Sequence, residues 1–158
     1  MKKKRWKRYL FWILSTEAVG LLSALLTRRG TALYKAFVLK PELSPPASVF
    51  PVAWGLLYAL MGIGAARISL APESGARSAS LKLYGVQLFF NFFWSILFFR
   101  YQAFGLAFFW LVILWALIVW MTLSFREVDR PAAALQIPYL LWVAFAGYLN
   151  CGVWMLNR

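Results

Sequence analysis

Apolar residues fill five stretches of the chain, and polar residues collect between them. The stretches are residues 9–26, 49–66, 83–99, 103–125 and 132–156. A helix needs about 20 mostly apolar residues to cross a bilayer. The pattern therefore predicts an all-α membrane protein, with five transmembrane helices in a single domain over residues 1–158. Only residues 100–102 part the third and fourth stretches, so these form an antiparallel hairpin. Residues 125–131 form a short polar turn, and residues 67–82 a longer one. The longest connection, residues 27–48, holds Pro41, Pro45 and Pro46, whose fixed φ makes it stiff.

The residues inside the spans sort onto faces. In the second span Phe50, Trp54, Tyr58 and Met61 share one side, and Gly55, Ala59, Gly62 and Ala66 another. The small residues suit close helix approach. The aromatic side suits either a binding cavity or a lipid-facing belt. In the third span Gln87, Asn91 and Trp94 fall on one face. An amide in hydrocarbon needs a partner, so this face points into the bundle, as interhelical glue or as cavity wall. In the fifth span Pro138, Trp142, Ala146 and Asn150 recur at steps of four, as a pocket wall or a proline-kinked packing helix. Glu17 is the one acidic residue within a span, a functional suspect that also fits a protonated or hydrogen-bonded structural role.

Composition agrees with a lipid solvent. The chain of 158 residues is 63% hydrophobic and 14% charged, against about half and a quarter in soluble domains. The net charge of +12 raises nucleic acid as a partner, but its distribution argues against it. Lys2, Lys3, Lys4, Arg5, Lys7 and Arg8 crowd the start, and most other basic residues lie between spans, as topology signals and headgroup contacts do. With Arg67, Arg77, Lys82, Arg126 and Arg130 they make eleven on the N-terminal side. Arg28, Arg29, Lys35, Lys40, Arg100 and Arg158 make six on the other. The excess orients the N terminus to the cytoplasm and the long loop outward. Glu17 interrupts the first apolar run and no clear cleavage site follows, so this run reads as a span rather than a cleaved leader.

Histidine is absent and Cys151 is the only cysteine, reading as a small apolar residue. That excludes an internal disulfide, a Cys/His zinc site and a histidine-based triad. The acids Glu17, Glu42, Glu73, Glu127 and Asp129 are too scattered for a carboxylate metal site, so no metal is expected. No phosphate-cradling glycine motif occurs.

Three segments together, "KPELSPPASVFPVAWGLLYALMG", "LYGVQLFFNFFWSILFF" and "IPYLLWVAFAGYLNCGVW", resemble the TspO/MBR family, the tryptophan-rich sensory proteins or translocator proteins. The likeness covers nearly everything from Tyr34 to Asn157, and only the first span is generic. It implies five helices around a cavity lidded by the first long loop. It also implies binding of tetrapyrroles such as protoporphyrin IX, of sterols and of benzodiazepine-site ligands, with no obligatory cofactor. Partners would be a tetrapyrrole or another lipophilic molecule, membrane lipid and a second copy in a homodimer. The location implied is a bacterial cell membrane. The residues carried over are Pro45 and Pro46 in the loop, Trp54 and Tyr58, Asn91 and Trp94, and Trp142, Ala146 and Asn150. Trp54 and Trp142 are the positions the family links to porphyrin chemistry, so they are the catalytic candidates if porphyrin is broken down. Arg28, Arg29 or Lys40 would meet a porphyrin's carboxylates.

Two departures stand out. Leu43 replaces a tryptophan common before the proline pair, which reduces ring stacking from the lid. Cys151 replaces an aromatic that the family's sterol pattern requires, which argues against sterol binding. Three function classes follow: a tetrapyrrole-binding sensor or modulator, a transporter of porphyrins or other lipophiles, and a porphyrin-degrading enzyme. The first leads. Transport lacks a coupling group beyond Glu17, and degradation lacks an acid–base pair, although tryptophan radical or photochemistry would need none.

Overall fold

A computed structural model describes residues 2–158, with side chains from Lys4 onward. The side chains of Lys2 and Lys3, counted among the topology signals, lie outside the described ones. Six helices follow one another: α1 (Lys2–Phe37), α2 (Val49–Leu70), α3 (Gly75–Ser95), α4 (Phe104–Val128), α5 (Arg130–Ala134) and α6 (Ile137–Leu156). No strand occurs among the described residues. Five segments are long and apolar enough to cross a membrane, as the hydropathy pattern predicts.

The first helix departs most from expectation. Its 36 residues span about 54 Å, well beyond a hydrocarbon core of about 30 Å. Residues 27–37, read from the sequence as loop, are its last three turns. They stay helical because one stripe, Thr16, Gly20, Ser23, Thr27, Gly30 and Tyr34, packs inward at steps of four and three. Its members are small or polar, which hides it from a hydropathy reading. Thr27 returns its hydroxyl to the Ser23 carbonyl at 2.8 Å. A Cβ on Gly30 would lie 2.0 Å from the Phe99 carbonyl oxygen, so only glycine allows this crossing. Arg28 and Arg29 are therefore exposed helix residues rather than loop residues.

The crossing partner is the end of α3, where Ile96–Arg100 widens into a π-helical turn. Tyr101 N–H donates to the Ile96 carbonyl at 3.1 Å, the i→i−5 bond of such a turn. Gln102, at φ 50°, then closes the α3–α4 hairpin. The third span begins eight residues before its predicted start, because Ser74 caps α3 by accepting from Arg77 N–H at 3.1 Å.

The fifth span is broken rather than continuous. Pro138 has no N–H and its ring would strike the carbonyl of residue 134, so the chain turns at Leu135–Gln136 before α6 begins. Asp129 caps α5 and also holds Arg67 of α2, at 2.5 Å from Nε and 3.2 Å from Nη2. This pair ties the ends of α2 and α4 together.

The helices pack in the order α1, α2, α6, α4, α3 and back to α1, with α5 against α2 and α4. The small-residue face of α2 works only over its C-terminal half. A Cβ on Gly62 would come 2.6 Å from Ile13 Cα of α1, whereas Gly55 has nothing within 4 Å.

Candidate functional site

Three helices meet at mid-bundle through a line of buried polar side chains. Tyr58 of α2 donates to Asn91 Oδ1 of α3 at 2.8 Å. Asn91 Nδ2 donates to the Tyr139 hydroxyl of α6 at 2.8 Å, and Tyr139 donates to Gln87 Oε1 at 2.7 Å. The Gln87 amide then points at Met61 Sδ, 3.8 Å away. Each member is at least nine-tenths buried, and each hydroxyl and amide carbonyl has a partner, as burial in a lipid-embedded bundle demands.

Aromatic rings cover this line on the side of the long loop. Trp54 lies 5.6 Å from Tyr58, 6.3 Å from Trp94 and 6.3 Å from Tyr139, centroid to centroid. Trp94 stacks on Phe98 at 5.3 Å and donates its indole N–H to Asn150 Oδ1 at 3.0 Å. Asn150 in turn donates to the Phe104 carbonyl at 2.8 Å, so α3, α4 and α6 are joined at this level.

Trp142 stands apart. Its ring is half-buried, 6.0 Å from Phe50 of α2 and 5.7 Å from Phe145. Its indole nitrogen is buried without a hydrogen-bond partner. Such a donor is costly to leave unpaired, which makes it a position a ligand acceptor would satisfy. Trp54 and Trp142 both line the seam between α2 and α6, two helices that touch sparsely.

The long loop reduces to residues 38–48 and lies over the end of α6. Asn157 grips the Leu39 backbone with both ends of its amide, accepting from N–H at 3.0 Å and donating to C=O at 2.8 Å. The Tyr148 hydroxyl donates to the Glu42 carbonyl at 2.8 Å, and Pro41 fills the space beside Gly152. Pro45 is half-buried and Pro46 exposed, the latter's carbonyl accepting from Val49 N–H at the head of α2. Lys40 bends its ammonium back to the Lys35 and Val38 carbonyls, over the Tyr34 ring. Leu43, in the left-handed region at φ 67°, is exposed.

Of the residues singled out in the sequence, Tyr58, Asn91, Trp94 and Asn150 are buried and joined within the cluster, with Trp54 against it. Ala146 is buried on the same face of α6. Pro138 is exposed and does not share that face. Steps of four drift by about 40° each, so the column from Pro138 to Asn150 turns through a third of the helix. The buried stripe is instead Tyr139, Val143, Ala146, Asn150 and Val153. Tyr139, which accepts from Asn91 and donates to Gln87, belongs to this cluster although none of the faces read from the sequence includes it. Its spacing of seven from Ala146 was the available signal. Glu17 is half-buried in α1, and neither of the two ion pairs among the described residues involves it. Among the described residues no group of His, Cys, Asp or Glu could hold a metal. The hydroxyls and amides are paired with one another, which leaves aromatic ring faces and the Trp142 N–H as the groups open to a lipophilic molecule.

The bundle and its core define an integral, multi-pass membrane protein. Residues 12–155 match the TspO/MBR family, and the chain belongs to it. It is 34% identical to the tryptophan-rich protein TspO of Chlorobaculum tepidum over 142 residues, 89% of each chain. It is 35% identical to the tryptophan-rich protein TspO of Archaeoglobus fulgidus over 147 residues, 92% of this chain and 94% of that one. It is 36% identical to the translocator protein of Bos taurus over 141 residues, 88% and 83% of the two.

Proposed function

We propose that the seam between α2 and α6 binds a flat tetrapyrrole of the protoporphyrin IX kind, and that the protein acts as a sensor or modulator of porphyrin and stress responses. The observation that carries this reading is the buried, unpartnered indole N–H of Trp142 beside the ring of Phe50. Trp54 offers a second ring on the facing helix, and a tetrapyrrole's faces match such rings by offset stacking. The internal hydrogen bonds of Tyr58, Asn91, Tyr139 and Gln87 are already made, so recognition rests on the ring faces and on Trp142. Loop 38–48 closes the outer end and is held by Asn157.

The N terminus lies in the cytoplasm of a bacterial cell on this reading, from the excess of basic residues at that end. The homodimer implied by the family resemblance is part of the same reading. Light- or oxidant-dependent breakdown of the bound porphyrin through Trp54 and Trp142 is its furthest extension. Titration of purified protein with protoporphyrin IX tests the core of it: tryptophan fluorescence should fall saturably. A linear, non-saturating fall matching that of empty detergent micelles would refute it. Absorbance of the bound porphyrin in light and in dark then separates binding from breakdown.

A further inference from the structure

At the opposite end of the bundle, a groove runs between the start of α1, the end of α2 and the start of α3. One part is an open cleft of about 390 Å³ lined by Lys7, Arg8, Phe11, Trp12, Arg77 and Leu81. It continues into a second of about 280 Å³ lined by Lys4, Arg5, Arg8, Glu73 and Arg77. Arg8, Ser69 and Arg77 belong to both, so the two are one groove with an apolar wall and a basic head. Lys4, Arg5, Lys7, Arg8 and Arg77 bring five cations against the single carboxylate of Glu73.

The two arginines are held but not satisfied. Arg8 donates one Nη1 hydrogen to the Ser69 carbonyl at 2.9 Å, which fixes its guanidinium over the end of α2. A guanidinium has five donors, so most remain to be used. Arg77 meets Glu73 at 3.6 Å, a loose contact to a carboxylate that is 95% exposed, and its Nε is buried without a partner. Exposed pairs of this kind contribute little. Unpaired guanidinium donors facing one recess match the oxygens of a phosphate.

We propose that this groove binds one anionic phospholipid. Its phosphate sits between Arg8 and Arg77, and an acyl chain runs along Phe11, Trp12 and Leu81. The apolar wall decides for a lipid over a soluble phosphate. So does the setting, since all three helix ends belong to segments long and apolar enough to cross a membrane, and basic residues that flank such segments meet lipid headgroups. Basic residues near an anionic membrane surface act in the same sense.

The test is lipid retention by the full chain in detergent, read by native mass spectrometry. The competing probes are phosphatidylglycerol, phosphatidylcholine and tail-free glycerol phosphate. Wild type should retain phosphatidylglycerol over phosphatidylcholine, and glycerol phosphate should not displace it. The double substitution Arg8→Gln/Arg77→Gln should weaken phosphatidylglycerol binding roughly thirtyfold, the scale of two basic contacts at a membrane surface. Lysine at both positions should retain most of it. Because Arg8 also braces α2, the exposed pair Lys4→Gln/Arg5→Gln supplies a second variant that leaves the helix contacts alone and should weaken binding in the same direction. Equal retention of the two lipids, or unchanged binding in both glutamine variants, would overturn the site. Equal affinity for glycerol phosphate and phosphatidylglycerol would overturn its assignment to a lipid.

Discussion

The Tyr58 hydroxyl donates to Asn91 Oδ1 at 2.8 Å across 33 positions of sequence, and Asn91 passes the chain on to Tyr139. One amide thereby holds α2, α3 and α6 in register. Tyr58→Phe should lower stability by about 1 kcal/mol, since it removes the donor to Asn91 Oδ1 and leaves that buried acceptor unpaired. Asn91→Ala should cost about 2 kcal/mol or more, because two partners lose their bond. A double-mutant cycle in an equilibrium unfolding assay should give a coupling near 1 kcal/mol. Strict additivity would mean the two side chains do not cooperate.

Glycine at the α1–α2 contact makes a second, sharper expectation. A Cβ at position 62 would sit 2.6 Å from Ile13 Cα, against backbone that has no room to yield. Gly62→Ala should therefore cost about 1–3 kcal/mol. Gly85→Ala is the control, since nothing lies within 4 Å of that position. It should be neutral, or stabilise by up to ~1 kcal/mol through helix propensity. Thermal unfolding of the two variants side by side checks the contrast.

Trp142 and Trp54 should separate when each is changed to Phe. Trp142→Phe removes a buried donor that has no partner in the protein, so unfolding should be unaffected or slightly delayed. Porphyrin affinity should nevertheless fall about fivefold or more, the scale of one hydrogen bond. Trp54→Phe keeps a ring beside Tyr58 and Trp94 and should change affinity less. The opposite ranking in an absorbance titration would remove Trp142 from the binding seam.

The grip of Asn157 on Leu39 should be visible in hydrogen exchange. Asn157→Ala deletes both bonds to the loop backbone, together with one from Nδ2 to the Val153 carbonyl at the end of α6. Amides of residues 39–48 should exchange about five- to thirtyfold faster, corresponding to 1–2 kcal/mol of local stability. Global unfolding should stay where it is. An unchanged loop would mean that Tyr148 and Pro41 hold it alone.

Orientation has its own check. In a Cys151→Ser background, cysteine at position 40 should label from outside intact cells, and cysteine at position 73 only after permeabilisation. Both positions are exposed in the folded chain. The reverse pattern would invert the assignment.

Hydropathy alone determined the five candidate crossings, because a helix in lipid must be predominantly apolar over about 20 residues. The amides and tyrosines of the core were partly legible for the same reason. Asn91, Gln87 and Asn150 are costly in hydrocarbon, so their presence announced inward faces. The tertiary structure decided what periodicity could not. Whether α1 continues past residue 26 depends on a stripe of Thr, Ser and Gly that carries no hydropathy signal, yet fits against the π-helical turn at Phe99. Which face of α6 is buried depends on its neighbours and on the break before Pro138. That register brings Tyr139 to Asn91 and leaves the Trp142 N–H open. Hydrogen bonds between residues dozens of positions apart are set by how helices meet, and no local pattern records that meeting.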